Sequence, residues 1–451
     1  MKNFLKTKMS YIRDLKISNY LARGPYSTET EPLKQFQLPL KGTVAKWGDD
    51  NLFPDFLDNQ ICKSIDLEAG IQTQSEFAYG QRVATYIEEM GADGNLVRKE
   101  VIDPDFEAWK EKYNFNEMYL QRAEYNFFRY ANVFVEFSFD KDGNISHLFT
   151  KDSPHCRIST LNKETGVSDY LYQSAQWGAS MVIDGEEAAA NYIEKGLLSR
   201  FPLIDNRNPI GFIDKRKAEN KKNIILGYHI KDYSPGDAYY GKSSWYPLLN
   251  NEWLRIAAKA PAMIEAYYSN GVTVRNVIKM NMDYFESTID GWKELDITDK
   301  QRHIEEVQQS IEENLTGPDK AFKTLVIQYA RGENNEIEYQ YEIETLANPN
   351  KDSTILQDIQ YISSLFNKAL RLDSSLVGGK ADGSKEADAG SEKRIASNLL
   401  QQRNEVVNQQ ILYPLTIVKH NNGWDKRLKF GMVTERHETL DKNPAGKVET
   451  L

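Results

Sequence analysis

Between residues 132 and 150 the chain reads NVFVEFSFDKDGNISHLFT. Val133, Val135, Phe137 and Phe139 alternate with Phe134, Glu136 and Ser138, the two-residue period of a strand. Asp142-Gly143-Asn144 supplies turn residues, so the stretch predicts a β-hairpin. Strand-like alternation returns over 155–175 and 222–233. Upstream, apolar residues at 57, 61, 65, 71 and 77 predict helix over 56–78. Pro104 opens another helix, with Phe106, Trp109, Phe115, Met118, Leu120, Phe127 and Phe128 available to its buried side. Gly48-Asp49-Asp50-Asn51, before Pro54, reads as a loop. The chain up to Pro235 therefore predicts a mixed α+β region.

Beyond it the texture changes. Leu248, Leu249, Trp253, Ile256, Ala260, Met263, Ile264 and Tyr267 keep helical spacing and predict one helix over 244–268, kinked at Pro261. Residues 272–351 read as a compact unit. It holds a strand VTVRNVIKM, a helix around 299–315, the turn Gly317-Pro318, a strand KTLVIQYA, the polar turn RGENNE and a strand EIEYQYEIETL. Ile355, Leu356, Ile359, Ile362, Leu365, Phe366, Ala369 and Leu370 form one stripe and predict a second long helix over 353–372. The stretch VGGKADGSKEADAGSEK (377–393) has almost no apolar bulk. A third helix is predicted over 391–413, ended or kinked by Pro414, and 419–451 reads as a polar, frayed tail.

The 451 residues are 40% hydrophobic and 27% charged, ordinary for a folded chain with more than one core. No apolar run approaches the ~18 residues of a membrane span. The N-terminal stretch has Lys or Arg at 2, 6, 8, 13, 16 and 23 but no apolar segment of a secretory signal, and reads as a solvated arm. Two cysteines exclude a disulfide framework and point to a reducing cytoplasm as the place of synthesis. His147, His155 and Cys156 match no zinc spacing, so neither metal nor cofactor is expected. The net charge of −10 changes the picture most. A protein that grips DNA carries a basic face; this chain either has no DNA partner or handles DNA without holding it tightly.

One stretch satisfies a catalytic pattern. GDAYYGKS, Gly236 to Ser243, fits the G-x-x-x-x-G-K-[ST] loop that cradles nucleotide phosphates with backbone N–H groups. Such a loop needs a buried apolar strand before it and a helix starting at its Lys-Ser. Here Lys231, Asp232, Ser234 and Pro235 stand where the strand should lead in, Tyr239 and Tyr240 crowd the loop, and Pro247 follows closely. The best Mg²⁺ carboxylate, Asp184 in MVID, lies upstream on a short apolar run. The pattern reads as coincidence, and the chain as no enzyme. A nucleotide hydrolase using Lys242 and Ser243 stands as the alternative, beside an elongated helical scaffold with no DNA partner.

The order of elements is more informative. YYGKSSWYPLLNNEW from Tyr239, YSNGVTVRNVIKM from Tyr268, LQDIQYISSLFNKALRLDSSLVGG from Leu356 and KWGDDNLFPDFL from Lys46 together resemble stretches of the portal proteins of tailed bacteriophages, over about residues 45–418. Asp373-Ser374-Ser375 stands where many relatives have a Pro-Pro pair. The resemblance implies an α+β portal-like fold: a mixed α/β wing, long stem helices, a small α/β clip domain inserted between them, a tunnel loop and a third long helix. On this chain that gives an N-terminal arm (1–43), wing (44–240), first stem helix (241–270), clip (271–351), second stem helix (352–373), tunnel loop (374–392), a long helix returning to the wing (393–418) and a short crown or tail (419–451).

The family forms rings, usually dodecameric, at one capsid vertex. Double-stranded DNA passes through them, and terminase, the major capsid protein and head-completion adaptors dock on them. The resemblance therefore implies a virion component made in the host cytoplasm, without membrane. Gly378, Gly379, Lys380, Asp382, Gly383, Lys385, Glu386, Asp388, Gly390 and Lys393 would form the loop facing DNA, although by composition alone the stretch also reads as a disordered linker. Gly241, Ser243 and Ser244 would lead into the first stem helix, Gly241 by turning sharply and a serine by capping. Gly317, Pro318, Arg331 and Gly332 would be clip tips that meet partners.

Overall fold

The computed structural model describes residues 42–450 apart from 92–93, 179, 220–224, 251, 271–275, 281–282, 316–328, 332–336, 340, 346–351, 378–389 and 440–444. In chain order the strands are β1 (Arg82–Met90), β2 (Leu96–Glu100), β3 (Asn132–Phe139), β4 (Ile145–Lys151), β5 (Cys156–Ile158), β6 (Tyr170–Gln173), β7 (Ser199–Pro202), β8 (Ile225–Lys231), β9 (Asn276–Met280), β10 (Tyr329–Arg331), β11 (Ile337–Tyr339), β12 (Tyr341–Thr345), β13 (Lys429–His437) and β14 (Lys447–Thr450). The described residues up to Leu254 and from Tyr361 onward form one compact unit; Arg255–Gln360 form a second. Both divisions fall inside helices, Trp253–Asn270 and Asp352–Ala369.

The first unit contains three antiparallel sheets. The predicted hairpin is β3–β4, and β8 pairs with the other edge of β3. As the central strand, β3 is covered on both faces at its start: Val133, Phe134, Val135 and Phe137 are fully buried. This is why its early residues are apolar on both sides of the alternation. Asp140 Oδ1 accepts from the N–H groups of Asp142 and Asn144, fixing the turn. Strands β5, β6 and β7 form a second sheet.

The third sheet has the order β14-β13-β1-β2 and corrects the reading of 419–451 as a frayed tail. Arg82–Tyr86 pair with residues 433–429, and Thr434–His437 with residues 450–447. The signal was weak for a physical reason. β2 is exposed throughout and β14 nearly so, and in β13 only Met432 and Val433 are buried. Strands that bury so little need few apolar residues, and the alternation that marks a strand is faint.

The helix predicted over 244–268 is divided. A single turn, Pro247–Asn250, precedes Trp253–Asn270, with Glu252 between them at φ 60°. Pro261 lies inside the second piece. Trp253, at the start of its helix, meets Tyr361, midway along the helix Asp352–Ala369, edge-on at 5.8 Å. The third helix, predicted over 391–413, runs from Gly390 to Asn422, straight through Pro414. Proline deletes the bond to the Gln410 carbonyl. The Tyr119 hydroxyl donates to the next carbonyl, Ile411, at 2.6 Å. Ile411, Leu412, Leu415, Ile417 and Val418 are buried around it, so packing outweighs the lost bond.

In the second unit β9 pairs with β12 and β10 with β11, and a helix spans Ile297–Leu315. Phe285 stacks on Trp292 at 4.9 Å, and both are buried.

Helix Arg122–Tyr130 carries a buried acid. Glu124 is fully buried, and neither carboxylate oxygen finds a hydrogen-bond partner among the described residues. Burial pushes its carboxyl up to about 8. The folded state therefore holds a proton that the unfolded chain releases above about 4.5, and the associated stability is lost as pH rises from there toward 8. Glu124→Gln should flatten this dependence. Between pH 8 and pH 5 the wild type should gain about 3 kcal/mol more stability than the variant in urea unfolding. Parallel profiles for the two proteins would show that Glu124 is not the titrating group.

Candidate functional site

The segment Gly236–Tyr246 lies between β8 and the first stem-like helix, and it is bound on every side. Gly241 N–H donates to Asn132 Oδ1 at 2.8 Å, and Asn132 Nδ2 donates back to the Gly241 carbonyl at 3.0 Å. The same Oδ1 accepts from His229 Nε2 at 3.0 Å. Burial holds His229 down to about 3, so the ring is neutral and can serve as that donor without carrying charge. Trp245 Nε1 donates to the Phe128 carbonyl at 3.1 Å and the Tyr246 hydroxyl to the Tyr130 carbonyl at 2.9 Å; both rings are fully buried.

Gly241 is needed for space. A Cβ there would lie 2.5 Å from the Ala131 carbonyl oxygen and 2.8 Å from that of Asp232. Its backbone is outside the left-handed region; in this segment Gly236 takes that role, at φ 84°. Ser243 and Ser244 do not cap a helix. Ser243 Oγ donates to the Phe128 carbonyl at 3.4 Å, and Ser244 Oγ to the Ala369 carbonyl at 2.8 Å. The serines fasten the lead-in to its neighbours, and the helix starts later, after Glu252.

The N-terminal KWGDDN motif packs on this segment. Trp47 stacks flat on Tyr240, centroids 4.5 Å apart. The Tyr240 hydroxyl donates to the Ala45 carbonyl at 2.7 Å and accepts from Ile158 N–H at 3.2 Å. Two motifs far apart in the chain thus form one aromatic joint, a contact that neither motif announced alone.

Features of a phosphate cradle are otherwise engaged. The N–H of Gly241 serves Asn132, and that of Lys242 donates to Ser234 Oγ at 2.7 Å. The Lys242 ammonium pairs with Asp237 at 2.7 Å. Asp184 accepts from the Thr43 hydroxyl at 3.0 Å, in a segment with no strand. What the segment does in this geometry is mechanical: it locks β8, the end of helix Arg122–Tyr130 and Ala369 together.

Of the loop residues, Gly378, Gly379, Lys380, Asp382, Gly383, Lys385, Glu386 and Asp388 lie outside the described residues. Gly390 starts the long helix and Lys393 sits in its first turn, exposed, so the helix claims both. Gly317, Pro318 and Gly332 also lie outside the described residues; Arg331 ends β10, opposite Ile337. Sequence reasoning passed over a cationic cluster beside the loop's roots, formed by Lys368, Arg371 and Arg403. Its members are far apart in the chain and make no motif.

No family model matches the chain, and no curated protein matches it. Solved structures do share its fold. A chain from the neck of the native GTA particle, with C12 symmetry, aligns with a TM-score of 0.51 and 12% identity, covering 90% of this chain and 88% of that one. A chain from the virion of the native gene transfer agent (GTA) particle aligns with a TM-score of 0.51 and 14% identity over the same shares. The mixed α/β architecture is thus the fold of a particle-neck chain along nearly its whole length.

Gly241→Ala should cost about 1–3 kcal/mol in urea unfolding, because two carbonyl oxygens must move. Lys242→Ala, which removes one ion pair, should cost at most about 1 kcal/mol. The reverse ranking would contradict the packing role assigned to the glycine.

Proposed function

We propose that the chain is the subunit of a portal: a closed ring through which viral DNA is packaged and ejected, and on which terminase and head–tail adaptors dock. The observation that carries this reading is the shared fold, over nine tenths of the chain, with a chain of a C12 particle neck. The order of elements agrees with it. A helix leads into an inserted unit, a second helix leads out, and a small-residue stretch opens into a 33-residue helix. A head-to-tail ring of identical chains uses two different faces of each subunit, which suits a chain of several small sheets and long helices.

On this reading the net charge of −10 has a task. A channel rich in carboxylates repels phosphate, so a duplex slides instead of sticking. Residues 374–392 are the tunnel loop of this reading, although Ser374–Val377 form a helical turn and the residues from Gly390 onward belong to the long helix. The inserted unit is the clip of this reading, and Gly317, Pro318, Arg331 and Gly332 are the residues it assigns to partner contact. No catalytic role is assigned: ATP hydrolysis belongs to a separate motor. The engagement of Gly241 and Lys242 N–H groups within the protein supports that choice over a nucleotide hydrolase.

Negative-stain electron microscopy of the purified chain, alone and co-expressed with capsid and scaffold proteins, should show closed rings with a central hole that admits a duplex. Monomers under both conditions would sink the reading. Calorimetric titration with ATP should give no heat that Lys242→Ala abolishes; such a loss would restore the hydrolase. Deletion of residues 379–390 should leave rings intact and stop DNA packaging or retention. Rings that fail to form after this deletion would count against the loop assignment.

A further inference from the structure

A groove of about 510 Å³ opens where the second stem-like helix meets the long third helix. Lys368 and Arg371 line it from one side and Arg403 from the other, over a floor that includes Leu372 and Leu400. All three cationic side chains are exposed, and among the described residues none makes an ion pair. Arg403 donates to the Arg371 carbonyl at 3.0 Å, tying the two sides together. Arg371 is held at φ 57°, a left-handed conformation that a bulky side chain rarely adopts. The lining carboxylate is Asp373, and its Oδ1 already accepts from Ser375 N–H and Oγ at 3.0 and 2.7 Å. Half-buried Asp232 lies near enough for the Arg371 charge to oppose the upward push of burial on its carboxyl.

Three clustered cations around an open groove repel one another, and the chain as a whole is acidic. They are stabilised when an anion joins them. Guanidinium groups match phosphate oxygens in a two-pronged geometry that a point charge cannot offer. The groove is far larger than one ion, so it suits a stretch of charged backbone. Its place matters as well: Asp373 and Ala396, on its lining, lie a few residues outside the two roots of the 378–389 stretch.

We infer that Lys368, Arg371 and Arg403 form a contact site for the phosphodiester backbone of duplex DNA, at the base of the tunnel loop and separate from it. This rests on the portal reading for the identity of the duplex. The site acts as a local brake: a few phosphates are held transiently by each subunit while the acidic remainder keeps the duplex from settling. Lys368 and Arg403 belong to helices, and Arg371 sits in the turn just after one, held through its carbonyl by Arg403, so the contact persists when the 378–389 stretch is removed.

The test uses the full chain, a short fluorescein-labelled duplex, and anisotropy measured over a range of salt concentrations. Three proteins are compared: wild type, Lys368→Gln/Arg371→Gln/Arg403→Gln, and an equal-charge control, Lys141→Gln/Lys163→Gln/Lys195→Gln, at exposed positions elsewhere. The slope of log affinity against log salt should become shallower by about 2.7 in the groove variant, at about 0.9 per phosphate neutralised. The control should keep the wild-type slope. Equal slopes in all three, or equal loss in both variants, would overturn the inference. So would complete displacement of the duplex by inorganic pyrophosphate at equal phosphate concentration, which would assign the groove to small phosphates. Microscopy of the same samples separates the two levels. Rings without duplex binding overturn the groove and leave the portal; absence of rings, alone and with capsid proteins, overturns the portal.

Discussion

Arg157 is fully buried, and among the described residues no carboxylate forms an ion pair with it. Its guanidinium donates to Asn51 Oδ1 and to the Asn51 carbonyl at 2.6 Å each, and to the Pro154 and Cys156 carbonyls at 2.8 and 2.7 Å. Trp47 and Trp177 flank it, their ring centroids 5.4 and 5.2 Å from the guanidinium carbon. A charge stripped of water is costly, and burial lowers the affinity of this group for its proton. The cost is offset only while all four acceptors and both indole rings stay in place. That requirement fastens the KWGDDN turn to β5. Through Trp47 on Tyr240 it also fixes the lead-in to the first stem-like helix. A single cation therefore sets the positions of three segments that are remote in sequence.

Where the pattern of apolar residues was strong, it was enough to read the structure. The β3–β4 hairpin was legible because Val133, Val135 and Phe137 alternate around a turn with Gly143 at its centre. The helix Asp352–Ala369 was legible from one stripe of apolar residues. Failures came where burial is shallow or where tertiary packing overrides a local rule. Pro414 looked like a terminator, yet the helix passes through it because the residues around it are buried against other elements. The opposite happened before Trp253, where Glu252 takes a left-handed conformation and splits an apparently continuous helix. Strands β1, β2, β13 and β14 form a half-exposed sheet whose polar residues hide the alternation.

The candidate site was legible in its parts and not in its joints. Both GDAYYGKS and KWGDDN stood out, yet nothing in either string says that Trp47 lies on Tyr240. At Gly241 the constraint is the two carbonyl oxygens a Cβ would meet, not the sharp turn that the sequence suggests. Such close approaches arise between segments distant in the chain, and a one-dimensional pattern carries no trace of them. The cations at 368, 371 and 403 escaped for the same reason, since only folding brings two helices together around one groove.

The sheet β14-β13-β1-β2 ties early strands to late ones: Arg82 is opposite Val433 and Tyr86 opposite Lys429. A ribosome delivers β1 and β2 long before β13. During that interval β1–β2 is a two-stranded hairpin with an open edge, a form of marginal stability. Pairing of such remote strands is slow, because the intervening chain must first be brought into place. A chain that stops short of β13 cannot close the sheet and leaves the edge of β1 unpaired.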